Sequence, residues 1–287
     1  VNTGGYYNMG RGYGPDRRIN QITRNETGYG LVGGNTQFRT FSSLTENDLN
    51  LRAGVVYRLK DDWEEISRLR FGYTGRIIND DFKQTEYNMI TLNGPSFTSV
   101  DDISLDDFYS AAHFNDRFTL DNAVDKYAVK KNIHSVYAEA VYQFTRHWVI
   151  NLGLKYDNVD MTVDYNVDKG NSKGKNNIRK NYFLPSLNIR YRLNDKNALR
   201  LGLSKTYTLP QSKEISPYRY VGVNFKSQGN ANLKPSDNYN IDLKWDFNPT
   251  STELISVTAF YKMIKNPISR IETPSAGGFL SYENVAD

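Results

Sequence analysis

Cysteine is absent from these 287 residues, which excludes a disulfide framework and any thiolate metal site. Also missing is an apolar run approaching the roughly 18 residues of a membrane-spanning helix. The mean hydropathy of −0.64 agrees. Hydrophobic residues reach 38%, below the usual globular share, so little apolar material is left over for a thick core. The only histidines, His113, His134 and His147, never fall at ligand spacing, and strand-end or surface roles suit them better than zinc. No GxSxG, HExxH or phosphate-cradling loop occurs, so no catalytic constellation and no cofactor is implied. The net charge of +4 is modest and its basic residues are dispersed, which argues against a nucleic-acid partner. The opening VNTGGYYNMG has neither a starting methionine nor a basic-then-apolar leader, so the chain is expected to be a mature or excised piece.

What the sequence has instead is tyrosine, 21 of them, within an aromatic share of 13%, and a strict alternation of apolar and polar residues. In LPSLNIRYRLNDKNALRLGLSKTYTLPQ, Leu187, Ile189, Tyr191 and Leu193 alternate with Asn188, Arg190 and Arg192. After NDKN the pattern resumes, with Leu199, Leu201, Leu203 and Tyr207 set against Arg200, Gly202, Ser204 and Thr206. Period two is the strand signature, and NDKN supplies the turn of an antiparallel hairpin. DLNLRAGVVYRL with ISRLRFGYTGRII, HSVYAEAVYQFT with WVINLGLKYD, and YNIDLKWDF with ELISVTAFYKM repeat the scheme. The spacing predicts eight strands in four hairpins.

Within hairpins the connections are short: DDWEE, TRH, NDKN and NPTST. Between hairpins they are long and polar, from about Asn79 to Ile133, Asn158 to Lys180 and Pro210 to Asn238. Long connections at every second position put all of them at one end of the sheet. An outer-membrane barrel has this pattern, with short periplasmic turns and long extracellular loops. A soluble sandwich also alternates wet and dry faces, but its strands are shorter. Here the apolar ladders run through roughly ten residues, the length of a tilted membrane-spanning strand. Aromatic residues also sit near the ladder ends, at Tyr57, Phe144, Trp148, Tyr156, Tyr191, Tyr207, Trp245, Phe247 and Tyr261, where headgroup layers favour them. A watery lumen would solvate Arg52, Arg58, Arg68, Arg70, Arg76, Arg190, Arg192 and Arg200, whereas an arginine in mid-bilayer costs roughly 2–4 kcal/mol. The fold expected is all-β: a segment of an antiparallel transmembrane β-barrel, occupying residues 1–287 as part of one domain. Residues 1–48 are weakly periodic, and are expected to be loop with one strand near Thr36–Phe41.

Three stretches carry a family resemblance: LPSLNIRYRLNDKNALRLGLSKTYTLP, QGNANLKPSDNYNIDLKWDF and ELISVTAFYKMIKNPI. Together with WVINLGLKYD they resemble the barrel of TonB-dependent outer-membrane receptors, most nearly the Bacteroidetes-type branch. The likeness is good from His134 to Ile268 and poor in the N-terminal third. Ala231 and Leu209-Pro210 depart from the family's habit, which favours GNPxLxP and a basic residue before the proline. The resemblance implies an energised importer in the bacterial outer membrane. It would bind a scarce nutrient at external loops and move it past a plug with force from a TonB complex. The nutrient could be an iron chelate, cobalamin, a glycan or a peptide, and the other partner is outer-membrane lipid. Large plugged barrels have about 22 strands, so eight strands would be a segment lacking the plug. A plug-less porin or adhesin, and a soluble carbohydrate-binding sandwich, are the alternatives.

The loop SPYRYVGVNFKSQGNANLKP is the candidate ligand site. Tyr218, Arg219, Tyr220 and Phe225 offer aromatic and cationic surface beside Asn224, Gln228, Asn230 and Asn232, a mixture that suits sugars, peptides or chelates. The same residues could instead order the loop on the barrel rim. Asp101, Asp102, Asp106 and Asp107 lack the glycine and spacing of a calcium loop and read as a solvated acidic segment. Asn25-Glu26-Thr27 matches the glycosylation pattern only formally.

Overall fold

The computed structural model describes residues 1–32, 37–60, 67–92, 96–102, 104–222, 225–273 and 279–285. Nine antiparallel strands form one sheet whose spatial order is the chain order. They are β1 (Asn2–Ile19), β2 (Phe38–Lys60), β3 (Ser67–Thr91), β4 (Phe118–Gln143), β5 (Trp148–Val167), β6 (Ser172–Asn194), β7 (Asn197–Thr208), β8 (Ser236–Phe247) and β9 (Ile255–Lys265). The last eight are the strands expected from the alternation, paired as expected. The apolar positions fall in register: Tyr57, Leu69, Ala140, Leu152, Leu187, Leu203, Ile241 and Tyr261 form one continuous cross-strand row. Leu152, Leu154, Phe71 and Leu243 are all about half exposed, so among the described residues this side of the sheet presents its apolar row outward.

On the opposite, inner side several cations are matched by acids. Arg70 pairs with Glu139 at 2.9 Å and Arg76 with Asp48 at 2.8 Å. Arg190, Arg200 and Lys244 stand in one cross-strand row, where like charges repel. Asp246 relieves this, lying 3.1 Å from Arg200 and 2.9 Å from Lys244. Rings close the lower end of the apolar band, with Trp148 against Tyr191 at 4.3 Å and Trp245 against Phe247 at 5.9 Å. Tyr156 and Phe183, 5.0 Å apart, close the upper end. From Trp148 to Tyr156 is about 26 Å along the strand, or about 20 Å of height at the usual tilt, close to a lipid-facing band. Tyr207 departs from its expected place among the outer residues. Its ring stacks on Tyr182 at 3.9 Å and its hydroxyl donates to Asp157 at 2.9 Å, because β7 stops pairing with β6 at Ser204.

Three expectations fail, for two reasons. Residues 2–19 form a strand, β1, paired with β2 from Asn2↔Gly54 to Ile19↔Phe38. Glycines at 4, 5, 10, 12 and 14 leave half the alternation unwritten, and β2 supplies the register instead. The expected strand near Thr36–Phe41 is the start of β2, and Thr36 lies outside the described residues. The stretch 79–133 is mostly strand: β3 runs to Thr91 and β4 begins at Phe118, so the connection is 92–117. Likewise 158–180 is a long hairpin whose turn sits around Asp168–Gly170. There Asp168, Lys169 and Gly170 all take positive φ, the left-handed geometry that glycine relieves. Above the lipid band the dry positions change sides: on β5 the outward Asp160, Thr162 and Asp164 alternate with the buried, inward Val159, Met161 and Val163, so the outward apolar ladder ends while backbone pairing continues.

The short turns at the other end are as expected. Thr145 Oγ1 accepts from the backbone N–H groups of His147 and Trp148, and Asn194 Oδ1 accepts from those of Lys196 and Asn197. DDWEE lies outside the described residues.

Candidate ligand cavity beneath the 209–235 loop

Beyond Thr208 the chain does not project freely. A short helix, Ser212–Ile215, is closed by a capping box in which Glu214 Oε2 accepts from the Gln211 backbone N–H at 2.8 Å. It places Ile215 in full burial and brings Ser212 Oγ to Asp80. The loop therefore folds down onto the inner side of β3, β4 and β5 in their upper halves. Its anchor is aromatic. Tyr218 packs 4.8 Å from Phe82, which stacks on Tyr127 at 4.7 Å. The Tyr218 hydroxyl donates to Gln84 Oε1 at 2.6 Å. Val129, Met161, Val163, Val167 and Leu233 complete this core. Burial pushes the Tyr127 phenol up to about 12 and raises that of Tyr218 as well.

The other residues expected in the site divide between scaffold and cavity wall. Asn230 Nδ2 donates to the Tyr282 carbonyl at 2.9 Å, and Asn230 Oδ1 accepts from the Asn232 N–H at 2.9 Å. Asn232 is exposed. Gly229 passes so close to the Ser216 carbonyl that a Cβ would lie 1.9 Å from its oxygen. Tyr220 is flanked by Arg17 and Lys213, each 4.6 Å from its ring, and lies 6.2 Å from Phe225. Arg219, Phe225 and Gln228 line a cavity of about 670 Å³ between the loop and the inner wall. Gln228 also donates to the Pro217 carbonyl at 3.2 Å. Asn224 lies outside the described residues.

The rest of the wall went unnoticed in the sequence: Glu86, Asp125, Lys169, Lys226 and Phe279. Arg219 and Lys226 lie over the Phe279 ring, at 5.0 and 5.7 Å. Burial raises the Glu86 and Asp125 carboxyls above their ordinary range, Asp125 adds to the rise at Glu86, and Arg219 opposes both. The available signal for an inward wall was on β5, where Val159, Met161, Val163 and Val167 alternate with Asp160, Thr162, Asp164 and Asn166. The histidines serve local contacts: His134 Nδ1 meets the Tyr73 hydroxyl at 2.6 Å, and His147 Nδ1 the Arg192 carbonyl at 2.7 Å. In the acidic segment, Asp102 accepts from Thr98 and Asp106 pairs with Arg18. Asn25 Oδ1 accepts from Thr27 within a turn.

A family model described as TonB dependent receptor-like, beta-barrel, matches residues 2–287. Among solved structures, the chain is similar to the ferric yersiniabactin uptake receptor FyuA from Yersinia pestis. That match has 10% identity and a TM-score of 0.51, covering 93% of this chain and 34% of that one. Similarity to the ferric citrate transporter FecA is at 11% identity and a TM-score of 0.49, over 91% of this chain and 32% of that one. For the siderophore receptor PiuA from Acinetobacter baumannii the values are 13% and 0.48, over 90% and 38%. The chain spans about a third of the length of these receptors. No curated protein matches it in sequence.

Proposed function

Since the chain belongs to the TonB-dependent receptor-like β-barrel family, and so to an outer-membrane barrel, we propose that it forms the ligand-facing part of an energised importer. The nutrient enters the cavity beneath the 209–235 loop from the extracellular side. A plug in another part of the receptor, and a TonB complex that engages the receptor as a separate partner, then move it inward. The observation that carries this reading is the folded loop itself. It roofs a polar, aromatic-edged cavity on the inner wall, where a captured molecule would already stand above the lumen. Cations at Arg219 and Lys226, rings at Phe225 and Phe279, and carboxylates at Glu86 and Asp125 surround that space. Such a wall suits a compact ligand with anionic groups and a flat face; among chelates, cobalamin, glycans and peptides it favours an anionic chelate.

The test is growth and surface binding by cells carrying the full-length receptor, with receptor abundance measured in parallel. Arg219→Ala is expected to weaken capture of a ferric chelate by about 1.5–3 kcal/mol, the worth of a charge-assisted hydrogen bond. Uptake should cease in a strain lacking TonB. Uptake that persists without TonB would turn the reading towards a porin. Unchanged capture in the Arg219 variant would move recognition to the 92–117 connection.

A further inference from the structure

On the outer side of the sheet, beyond the upper rings, lies a cluster of cations. Lys83, Lys126, Lys130, Lys173 and Lys175 surround one shallow concavity formed by β2–β6. All five are exposed. Lys83 and Lys126 are direct cross-strand partners, an arrangement that repulsion disfavours. Whereas Arg70, Arg76, Arg200 and Lys244 on the inner side each have a carboxylate within 4 Å, none of these five has an ion-pair partner among the described residues. Asp81 and Asp164 share the concavity, and two acids against five lysines leave it net positive.

The cluster is continuous with the lipid-facing band. Along β6 the outward positions climb from Phe183 through Asn181, Arg179 and Asn177 to Lys175 and Lys173. On β4 they climb from Val136 through His134 and Asn132 to Lys130 and, two rows on, Lys126. At about 3.3 Å per residue and the usual tilt, Lys130 and Lys175 stand about 14–20 Å above the apolar edge. A phospholipid headgroup layer reaches only about 5–8 Å beyond the hydrocarbon. The cluster lies too high for phospholipid phosphates and at the height of a taller saccharide headgroup. We propose that these five lysines dock the phosphorylated saccharide headgroups of glycolipids in the surrounding outer leaflet. The barrel would then be held by an anionic collar above its hydrophobic belt, independently of the nutrient it carries.

The experiment uses full-length receptor in detergent and three probes: rough-type lipopolysaccharide with its core phosphates, the same material after phosphate removal, and phosphatidylglycerol nanodiscs. The variant is K83Q/K126Q/K130Q/K173Q/K175Q, with Lys196→Gln in a periplasmic turn as control. The wild type is expected to bind the phosphorylated glycolipid in a salt-sensitive manner. The variant should bind it at least about tenfold more weakly, since each lysine near an anionic surface contributes separately; the control should not change. Dephosphorylated glycolipid should bind weakly to every form. Equal affinity of wild type and variant would overturn the proposal, as would equal wild-type binding with and without phosphate. An equal loss on phosphatidylglycerol would also overturn it, because the cluster would then sit at phospholipid height. The two wild-type arms with and without phosphate need no variant, so equal binding in them overturns the proposal even if the fivefold substitution disturbs folding.

Discussion

At the scale of single residues, the protein sorts its side chains by which solvent they can tolerate. Leu243 and Lys244 are neighbours in β8, yet they meet different worlds. Leu243 is 50% exposed on the outer side, in a row with Leu201 and Ala259. Lys244 points inward and lies 2.9 Å from Asp246. Leu243→Arg should therefore impair insertion into lipid vesicles by roughly 2–4 kcal/mol, the cost of a guanidinium near mid-bilayer. Lys244→Leu should do much less harm, because Asp246 keeps Arg200 at 3.1 Å and the Ser256 hydroxyl at 2.5 Å. Folding yields in vesicles compare the two, and equal damage would mean the faces are reversed.

At the scale of elements, the alternation was legible where the dry face met lipid, and was passed over where the dry face turned inward under the loop. Eight strands announced themselves because Leu152, Leu187 and Leu203 must align on one side while Asn151, Asn188 and Gly202 align on the other. The upper arms of β3–β6 did not, since there the dry positions move to the inner face, where Asp80, Gln84, Val129, Met161 and Val163 are buried, while Asp81 and Lys83 on the outer face are exposed. β1 was hidden because glycine carries no side chain for the pattern to use. The candidate loop was legible as a binding segment by composition, but not its partners: Gln84, Glu86 and Asp125 come from distant strands that only folding brings under it. Composition alone also could not separate Tyr218, which anchors the loop, from Arg219, which faces the cavity. The loop's fit can be tested at Gly229, where a side chain would collide with the backbone oxygens of Ser216 and Lys213. Gly229→Val should loosen the docked loop by about 1–3 kcal/mol, as overpacking does, while β1–β9 stay inserted. Chymotrypsin on intact cells would then cleave near Tyr218 and Tyr220, with the barrel still heat-resistant on a gel. Continued resistance to cleavage would show that the loop is not held at this contact.

At the scale of the whole molecule, one asymmetry organises everything above. The sheet's lower edge consists of tight turns tied by Thr145 and Asn194, and its upper edge carries long arms, the docked loop and the outward lysines. Short turns belong to the periplasm and long extensions to the outside, so the cavity and the lysine cluster share the extracellular end. The lack of cysteine in these residues makes the orientation directly measurable, because a thiol placed here has no native competitor in this part of the barrel. Lys175→Cys, on an exposed upper arm, should react on intact cells with a membrane-impermeant maleimide. Lys196→Cys, in a lower turn, should react only after the outer membrane is permeabilised. Leu154→Cys, in the outward apolar band, should stay unreactive in both conditions, since a thiolate scarcely forms in hydrocarbon and a charged reagent does not enter it. The three sites together read the vertical axis of the barrel. Labelling of Lys196→Cys on intact cells, with Lys175→Cys protected, would invert the axis and place both the cavity and the lysine cluster on the periplasmic side. Rapid labelling of Leu154→Cys would show that the row it shares with Phe71 and Ala138 meets water, contrary to a lipid-facing band.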